Sequence, residues 1–482
     1  MVTTLDRPTT TDEEAAHPLL TPALAHLAER AAVAQVYLDY YAGLQRPVLP
    51  PERVNTALGR LLSRYRTNLS AAVVDAVADR LHVIGVTPQR EEDDQAAADA
   101  WALWQLNRMD RRAGDVLLSA LTAGDAYLVI WPDPAGIPRI AWTPATMMTA
   151  GYDGEQPDRL AWAIKAWSVT TWEDGPAVTR WRVNLYLPDA IRKYVGEPWP
   201  TSTSPTDAPP LPTKAGSLRP FQVTDEPWPL PNPIAPVLPV VHLANNAGEG
   251  SLGRSEVADV CVLQDSLNTT IANILTSNEF VAFPQRHVTG LALERDDQGN
   301  PINPFKPGAS RLWVAEDSNV TFGEFPAADL VQLMATADMF RRDISRVSGV
   351  PSHYLGLDAG GWPSGEAQKT AEQRLVAKIG DRQQTFATAW ENALNIGRRF
   401  SGGEPAALDI VWDSAETRDA ANQITMALDT LAICRDPAPY GARKRVLMDL
   451  GYSDEAAAEM LGPEVVPAAS MLLEGLEPEV VG

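Results

Sequence analysis

The sequence has few of the residues that build the best-known chemical sites. Among 482 residues there are two cysteines and six histidines. Cys261 and Cys434 are far apart and belong to no CxxC pattern, so the sequence predicts neither a zinc site nor a disulfide framework. We expect both thiols to be buried structural groups in a reducing, cytosolic environment.

Long apolar runs and basic charge are also scarce. No stretch approaches the ~18 apolar residues that a membrane helix needs, and the acidic N-terminus has no signal-peptide core. We therefore expect neither export nor membrane insertion. The 40 basic residues are outnumbered by 62 acidic ones, which gives a formal charge of −22. This charge has the wrong sign for tight, general binding to nucleic acid.

Motifs of the common catalytic mechanisms are missing as well. The sequence contains no GxxxxGK[ST], HExxH or GxSxG motif and no Gly-rich dinucleotide fingerprint. His242 and His353 occur singly, and we interpret both as structurally satisfied or solvated groups. The sequence therefore predicts no catalytic residue, no cofactor and no metal site.

Proline is abundant in one place. Fourteen of the 40 prolines lie between Pro188 and Pro239. Because proline lacks a backbone donor, we expect this segment to be a connector or surface excursion without regular structure. Hydrophobic residues make up 45% of the chain and charged residues 21%, as in soluble globular proteins. At roughly 100 to 200 residues per domain, the length indicates two to four structural units.

The half before this segment predicts helices followed by strands. Apolar spacing favours helices over 22–40, 51–80 and 90–121. The runs AYLVIW and IPRIAW flank a PDPAG turn and predict a hairpin. The alternating runs LAWAIKAW and TRWRVNLYL are expected to extend the same antiparallel sheet.

The half after it predicts long helices around a short β region. One helix is expected to begin with Ser255 as N-cap and Glu256 in its first turn. A second carries a 3,4,3,4,3 apolar series, which predicts packing against one neighbouring helix: Leu330, Leu333, Ala337, Phe340, Ile344 and Val347. A third runs from 366 to about 400, with its buried face at Ala371, Leu375, Ile379, Phe386, Trp390 and Leu394. The fold class is therefore α+β, mainly helical.

Several segments, taken in their order along the chain, resemble a known family. They are NLSAAVVDAVADRLHVIGV, ALWQLNRMD, GDAYLVIW, GRSE, FKPGASRLWVAE, SGVPSHYLGL and PSGEAQKTAEQRL. Over about residues 30–400 they resemble the portal proteins of tailed double-stranded DNA bacteriophages with long, non-contractile tails. One departure is Trp362-Pro363-Ser364, where family members often have an Asn-Ser or Ser-Ser pair.

The resemblance implies a ring-forming portal fold with wing, stem, clip and crown. The implied division is 1–253 for the N-terminal region and wing, 254–279 and 327–350 for two stem helices, 280–326 for the clip, 351–365 for the tunnel loop, 366–414 for a long helix and its return, and 415–482 for the crown and acidic tail. Portal rings, typically of twelve subunits, lie at one capsid vertex and conduct DNA during packaging and ejection.

The same resemblance implies the partners and the site residues. The partners are other copies of the chain, double-stranded DNA bound weakly and without sequence preference, the terminase large subunit, the head-completion adaptor, and the major capsid and scaffolding proteins. The protein would be assembled in the host cytoplasm and would become part of the virion. The tunnel-loop residues expected at the DNA are His353, Tyr354, Asp358, Gly360, Gly361 and Trp362. The stem face opposite the apolar series carries Asp338, Arg342 and Arg346, and is available to a neighbouring subunit or the channel.

Two alternatives from other classes stay open at this point. One is a different phage capsid or scaffolding protein with a similar helical composition. The other is a cytosolic hydrolase whose active site lies between the sheet and the long helices, although no nucleophile motif supports it.

Overall fold

The computed structural model describes residues 17–45, 67–172, 177–200, 210–223, 226–282, 286–290, 319–324, 330–357 and 365–416, with single positions at 298, 443, 444, 447, 460 and 461. The chain divides into two units, Met1–Ala415 and Glu416–Gly482. The helices and strands described next belong to the first unit.

Seven α-helices are found among the described residues of this unit. They are α1 (Leu20–Tyr41), α2 (Leu69–Ala78), α3 (Asp94–Leu106), α4 (Met109–Ala123), α5 (Cys261–Ala282), α6 (Leu330–Ser348) and α7 (Gly365–Phe400). Pro22 lies in the first turn of α1, where its missing N–H leaves no intrahelical bond unmade. Asn68 caps α2 by accepting a hydrogen bond from the Ala71 amide at 3.3 Å. The helix predicted over 51–80 is described only as α2, because residues 46–66 lie outside the described part of the chain.

The strands form antiparallel sheets. β1 (Val83–Pro88) pairs with β14 (Leu408–Trp412), and β12 (Arg286–Thr289) pairs with β13 (Thr321–Glu324). A three-stranded sheet has the order β11 (Val240–Ala244), β2 (Asp125–Pro132), β3 (Pro138–Pro144). A seven-stranded sheet has the path β10 (Leu230–Pro231), β7 (Ala190–Gly196), β6 (Val178–Tyr186), β5 (Leu160–Thr171), β4 (Met148–Tyr152), with β8 (Trp199–Pro200) beside β6 and β9 (Leu218–Pro220) beside β7. The fold is thus a mixture of helix and sheet, as predicted.

The three-stranded sheet lies between the main helices and the seven-stranded sheet. One face of β2, including Leu128 and Ile130, joins the main helical core. The other face, with Tyr127 and Val129, packs on the seven-stranded sheet. Burial on both faces accounts for the uninterrupted apolar run of β2. On the far side of the larger sheet, the leucines of α1 pack against β5, β6 and β7.

The predicted hairpin is confirmed, but the predicted continuation of its sheet is wrong. β2 and β3 pair antiparallel around the turn at Asp133 to Gly136. β5 and β6 pair with each other in the separate, seven-stranded sheet. The third strand of the smaller sheet is β11, which follows the proline-rich segment. Alternation of side chains shows that a strand has two faces, and leaves open which sheet it joins.

The expectation of no regular structure between Pro188 and Pro239 is also wrong. The segment supplies β7, β8, β9 and β10, all within the seven-stranded sheet. Several of its prolines, Pro200, Pro220 and Pro231, stand at the ends of very short strands. Proline is tolerated there because a strand end need not donate a ladder hydrogen bond.

The single helix predicted over 90–121 is two helices, α3 and α4. Arg108 lies between them with φ of 53°, a left-handed conformation that interrupts an α-helix. The preceding Asn107 is buried and spans the break: its amide donates to the carbonyl oxygens of Leu103 and Pro138, and its side-chain oxygen accepts from the Ile140 amide. These bonds fix the corner against β3.

Candidate functional site

The helices predicted to form the stem, α5 and α6, contact each other. Their buried residues join the main helical core, with Leu267 and Ile271 from α5 and Ala337 and Ile344 from α6. The regular part of α5 begins at Cys261, later than the expected N-cap at Ser255. Residues 256–260 form turns first, and the Glu256 amide donates to the Leu121 carbonyl oxygen near the end of α4.

The apolar series on α6 is placed largely as the spacing predicts. Ala337 and Ile344 are buried, and Leu330, Leu333 and Phe340 are half-buried. Val347 is 45% exposed in the single chain, and Ser348 takes the buried position. A series spaced by three and four follows a 3.5-residue repeat, whereas a straight helix has 3.6 residues per turn. The contact line therefore drifts away from Val347 at the end of the helix.

The outward face of α6 carries charges and exposed apolar groups. Asp338 accepts a hydrogen bond from Arg341 at 3.2 Å, and Asp343 accepts one from Arg346 at 2.9 Å. Arg342, the other charged residue predicted for this face, is exposed. Met334 and Met339, also on α6, are 59% and 46% exposed. This face is thus the one left open in the single chain.

The start of the predicted tunnel loop is bound to its own chain. A 3-10 turn over Ser352–Leu355 buries Leu355. The Tyr354 hydroxyl accepts a hydrogen bond from Arg80 at 2.7 Å and donates to Glu372 of α7 at 3.3 Å. His353 lies 3.8 Å from the same Glu372 carboxylate. Asp358, Gly360, Gly361 and Trp362 lie outside the described residues, so their predicted DNA contact stays a prediction.

Helix α7 contacts the end of α6 and the segment that leads into α5 through three cationic side chains. Arg374 donates to the carbonyl oxygen of Arg346 at 2.7 Å. Lys378 donates to the carbonyl oxygen of Ser348 at 2.9 Å and forms an ion pair with Glu256 at 2.5 Å. Arg382 donates through Nε to Glu256 at 3.0 Å. We call these three residues and Glu256 the α7 anchor.

Glu256 is the acidic centre of the anchor. Its side chain is buried, and it also accepts a hydrogen bond from Asn245 at 3.1 Å. Burial by itself disfavours the charged carboxylate, but Lys378, Arg382 and Asn245 outweigh that effect and lower the pKa of Glu256. The carboxylate is therefore ionised and paired. It supports the fold by holding positions, and is unsuited to proton transfer near neutral pH.

The GRSE motif meets the GD pair of the GDAYLVIW motif beside this anchor. A Cβ on Gly253 would lie 1.8 Å from the carbonyl oxygen of Gly124, so the close approach of the two backbones requires glycine. The Ser255 hydroxyl donates to the Thr122 carbonyl oxygen, and the Glu256 amide donates to that of Leu121. Two motifs separated by about 130 residues thus form one joint between α4 and the entry to α5.

Asp125 and His242 form a buried polar group at the same joint. His242 Nε2 lies 2.8 Å from Asp125, and its Nδ1 lies 2.8 Å from the Tyr152 hydroxyl. Asp125 also accepts from Arg30 at 2.6 Å and from the Gly253 amide. Burial would raise the pKa of Asp125, but these hydrogen bonds outweigh it and lower the pKa. Burial raises the pKa of Tyr152 to about 12, so the hydroxyl stays protonated.

The interpretation of His242 as a satisfied histidine is therefore confirmed, although its partners could not be named from the sequence. Asp125 is 117 residues away along the chain, and Tyr152 is 90. The arrangement resembles an Asp-His-hydroxyl relay in geometry, but a tyrosine whose pKa is raised is a poor nucleophile. We assign the group a structural role.

Other features of the described residues bear on the sequence predictions. Cys261 is half-buried, and burial raises the pKa of its thiol to about 11; Cys434 lies outside the described residues.

Across the described ranges, no helix combines the length and apolar character needed to cross a membrane. In the same part of the chain, no three His, Cys, Asp or Glu side chains are grouped to hold a metal ion.

Comparison by sequence gives relatives among bacteriophage proteins. The family described as phage portal protein, SPP1 Gp6-like, matches residues 21–432. The portal protein of Mycobacterium phage L5 is 25% identical over 434 residues, covering 85% of this chain and 82% of that protein. The portal protein of Mycobacterium phage D29 is 24% identical over 441 residues, covering 88% and 83%.

Comparison by structure gives chains from gene transfer agent (GTA) particles. One comes from the neck of the native GTA particle computed with C12 symmetry; it has a TM-score of 0.42 and 14% identity, covering 86% of this chain and 98% of that chain. Another comes from the neck of the empty GTA particle computed with C6 symmetry; it has a TM-score of 0.41 and 14% identity, covering 92% and 99%.

Proposed function

The chain belongs to the SPP1 Gp6-like family of phage portal proteins, and we propose that it forms a closed ring of about twelve copies through which the phage genome is packaged and ejected. The family is structural, so the hydrolase alternative is wrong. The other alternative, a different capsid or scaffolding protein, is likewise replaced by the portal assignment.

The observation that carries the ring is the open face of α6. Its inner face packs on α5 and the helical core, while Met334, Met339 and Val347 are exposed in the single chain. Exposed apolar side chains on a helix that is otherwise well packed favour contact with another protein surface. In a closed ring the contacts are head-to-tail, so each copy presents this face to a different, complementary surface of its neighbour.

The channel role fits the charge of the chain. With a net charge of −22, the protein repels a polyanion over roughly a Debye length of 8 Å. A duplex can then slide past without the tight binding that counterion release would drive. We propose that Arg342 and Arg346 are either shared with a neighbouring subunit or reach the lumen, and that DNA contact is weak and independent of base sequence.

The division into wing, stem, clip, tunnel loop and crown is part of the proposal. α5 and α6 fit the two stem helices, and α7, with its return to β14 beside β1, fits the long helix that bridges the wing and the crown. The β12 and β13 pair fits the base of the clip at 280–326, most of which lies outside the described residues, as does most of the crown at 415–482.

The proposed partners follow from these positions. We propose that the clip docks the terminase large subunit and later the head-completion adaptor, since short strands offer edges that another chain can pair with. The wing and crown would meet the major capsid and scaffolding proteins. Assembly would take place in the host cytoplasm, and the finished ring would occupy one capsid vertex of the virion.

For the tunnel loop, the contacts of its first turn support a DNA contact later in the loop. His353 and Tyr354 are near Arg80 and Glu372 of their own chain, so the first turn of the loop is fixed to the subunit. We propose that DNA contact belongs to the following residues, Asp358 to Trp362. Replacing Gly360 and Gly361 by Pro should then slow packaging or shorten the packaged DNA without preventing ring assembly. Normal packaging by such rings would show that the loop is a passive connector.

The ring is tested by the mass of the full chain in native buffer. We expect a species of about twelve subunit masses. A variant with Met334→Gln and Met339→Gln should fold but shift towards smaller species, because its open face is polar. Met147→Gln is the matched control, since Met147 is 42% exposed and lies outside the helix pair. A wild-type chain that stays at one subunit mass at micromolar concentration contradicts the ring.

A further inference from the structure

The cationic residues of the α7 anchor divide their contacts between two helices. Arg374, Lys378 and Arg382 are spaced by four residues, so they lie on one stripe of α7. Arg374 contacts only the end of α6 among its described hydrogen bonds, and Arg382 contacts the entry to α5 through Glu256. Lys378 contacts both. We propose that this stripe is a positioning device that holds the entry to α5 and the C-terminal end of α6 as one unit on α7.

The contacts with α6 use the charge distribution of a helix end. The last carbonyl groups of an α-helix have no intrahelical donor and carry a partial negative charge. Arg374 and Lys378 supply donors and positive charge to two of these carbonyl oxygens, those of Arg346 and Ser348. The helix stops there, because Gly349 has φ of +78°. Gly349 thus sets where α6 ends, and the two cations hold that end in place on α7.

The contacts with α5 use a buried ion pair. Arg382 is 5% exposed, and Glu256 is buried between it and Lys378. Charges so far from water are stable only while they stay paired, so the entry to α5 is tied to one place on α7. Hydrophobic contact alone would allow a helix to slide or rotate on its neighbour, whereas paired, directional bonds fix its register.

Lys378 makes the two attachments interdependent. Among the described side chains of the anchor, the Lys378 ammonium group bonds both the Glu256 carboxylate and the Ser348 carbonyl oxygen. A displacement of α7 therefore moves both helix ends together. If, as proposed above, α5 and α6 line the channel, α7 is the element that sets their position, and Lys378 is the positioning residue.

Hydrogen exchange of the full chain, measured by mass spectrometry, tests this division of contacts. We expect Lys378→Met to accelerate exchange by about tenfold or more at two sites together, the entry to α5 and the end of α6. Arg382→Met should affect mainly the entry to α5, and Arg374→Met mainly the end of α6. Lys378→Arg, which keeps the charge and the donors, should restore most of the protection.

The matched control is Lys193→Met. Lys193 also forms an ion pair with a glutamate, Glu226, but on the seven-stranded sheet, and both side chains are partly exposed. Lys193→Met should leave the backbone amides at both helix ends protected from exchange.

The proposal is overturned if Lys378→Met accelerates exchange at one helix end only, or if Arg374→Met and Arg382→Met give the same pattern as each other. Should Lys378→Met unfold the chain, the contrast between Arg374→Met and Arg382→Met decides. The measurement needs no ring, so it stands apart from the test of assembly.

Discussion

The two ends of α6 are held by different kinds of interaction. At the C-terminal end, Ile344 and Ser348 are buried, and the Ser348 carbonyl oxygen accepts a hydrogen bond from Lys378. Towards the N-terminal end, Met334 and Met339 are exposed, and the ion pair of Asp338 with Arg341 lies at the surface. One end is thus specified by its own chain, and the other is only partly covered by it.

Under the proposed ring, the difference predicts which half of the helix is covered by other subunits. Surface ion pairs contribute about 0 to 1 kcal/mol, so Asp338 and Arg341 do little to fix the exposed half. A buried, hydrogen-bonded pair costs about 3–5 kcal/mol to break, so the α7 anchor can hold its half without help. Assembly would cover the exposed half, and in the anchored half it would cover Val347, which the single chain leaves exposed.

Removing the Glu256 carboxylate from the α7 anchor should lower the free energy of unfolding by the largest amount. Glu256→Ala leaves the buried Lys378 without its carboxylate and removes one of the two that pair with Arg382, the other being the more exposed Asp381. We expect the free energy of unfolding to fall by about 3–5 kcal/mol. Urea unfolding of the full chain measures it. Glu226→Ala removes the partner of Lys193 at a more exposed site and should cost less than about 1 kcal/mol. Equal losses in the two variants would mean that the anchor is no stronger than a surface pair.

A lower pH should weaken the α7 anchor of the wild-type chain in the same way. The folded chain lowers the pKa of Glu256, so its contribution to stability is fully present above the unfolded pKa and is lost as the pH falls through the folded pKa. Glu256→Gln has no proton to take up at this position. Between about pH 6 and pH 3, the wild type should therefore lose more stability than this variant. If the free energies of unfolding of the wild type and Glu256→Gln fell in parallel with pH, Glu256 would not be stabilised as a carboxylate.

Truncation of the helix contact should cost less than loss of the anchor. Ile344 is fully buried, so Ile344→Ala should destabilise the dilute, unassembled chain by about 3 kcal/mol through lost burial and the cavity left behind. Val347→Ala, three residues later, should cost about 0.5 kcal/mol or less, because Val347 is exposed. Thermal or urea unfolding compares the two. Similar losses would place Val347 in the contact after all.

The sequence predicts the helix contact well, because the contact repeats locally. Spacing of three and four residues identifies Ala337 and Ile344 as buried, and the same reasoning identifies Leu375, Ile379 and Phe386 on α7. It fails at Val347, where the drift between a 3.5-residue and a 3.6-residue repeat has accumulated, and at Ala371, which is exposed near the start of α7 although the spacing predicts it to be buried. Periodicity is thus dependable near the centre of a helix and less so at its end.

The α7 anchor could not be predicted in full, but the sequence indicates one of its residues, Arg382. Arg382 occupies the position between Ile379 and Phe386 where the spacing of the buried face requires an apolar residue. A cation in such a position predicts a buried acidic partner. The identity of that partner was out of reach, because Glu256 is 126 residues away along the chain. The same distance in sequence hides the contact of Gly124 with Gly253.

The smallest effect is expected at the exposed end, where salt distinguishes the two kinds of interaction. Arg341→Gln removes the surface pair with Asp338 and should cost about 0.5 kcal/mol or less at low ionic strength. Near 1 M salt the screening length falls to about 3 Å, so the difference from the wild type should vanish. The loss caused by Glu256→Ala should persist there, because buried charges are screened far less. Urea unfolding of both variants at low and high salt gives the comparison. A salt-independent cost for Arg341→Gln, as large as that of Glu256→Ala, would show that both ends of α6 are held in the same way.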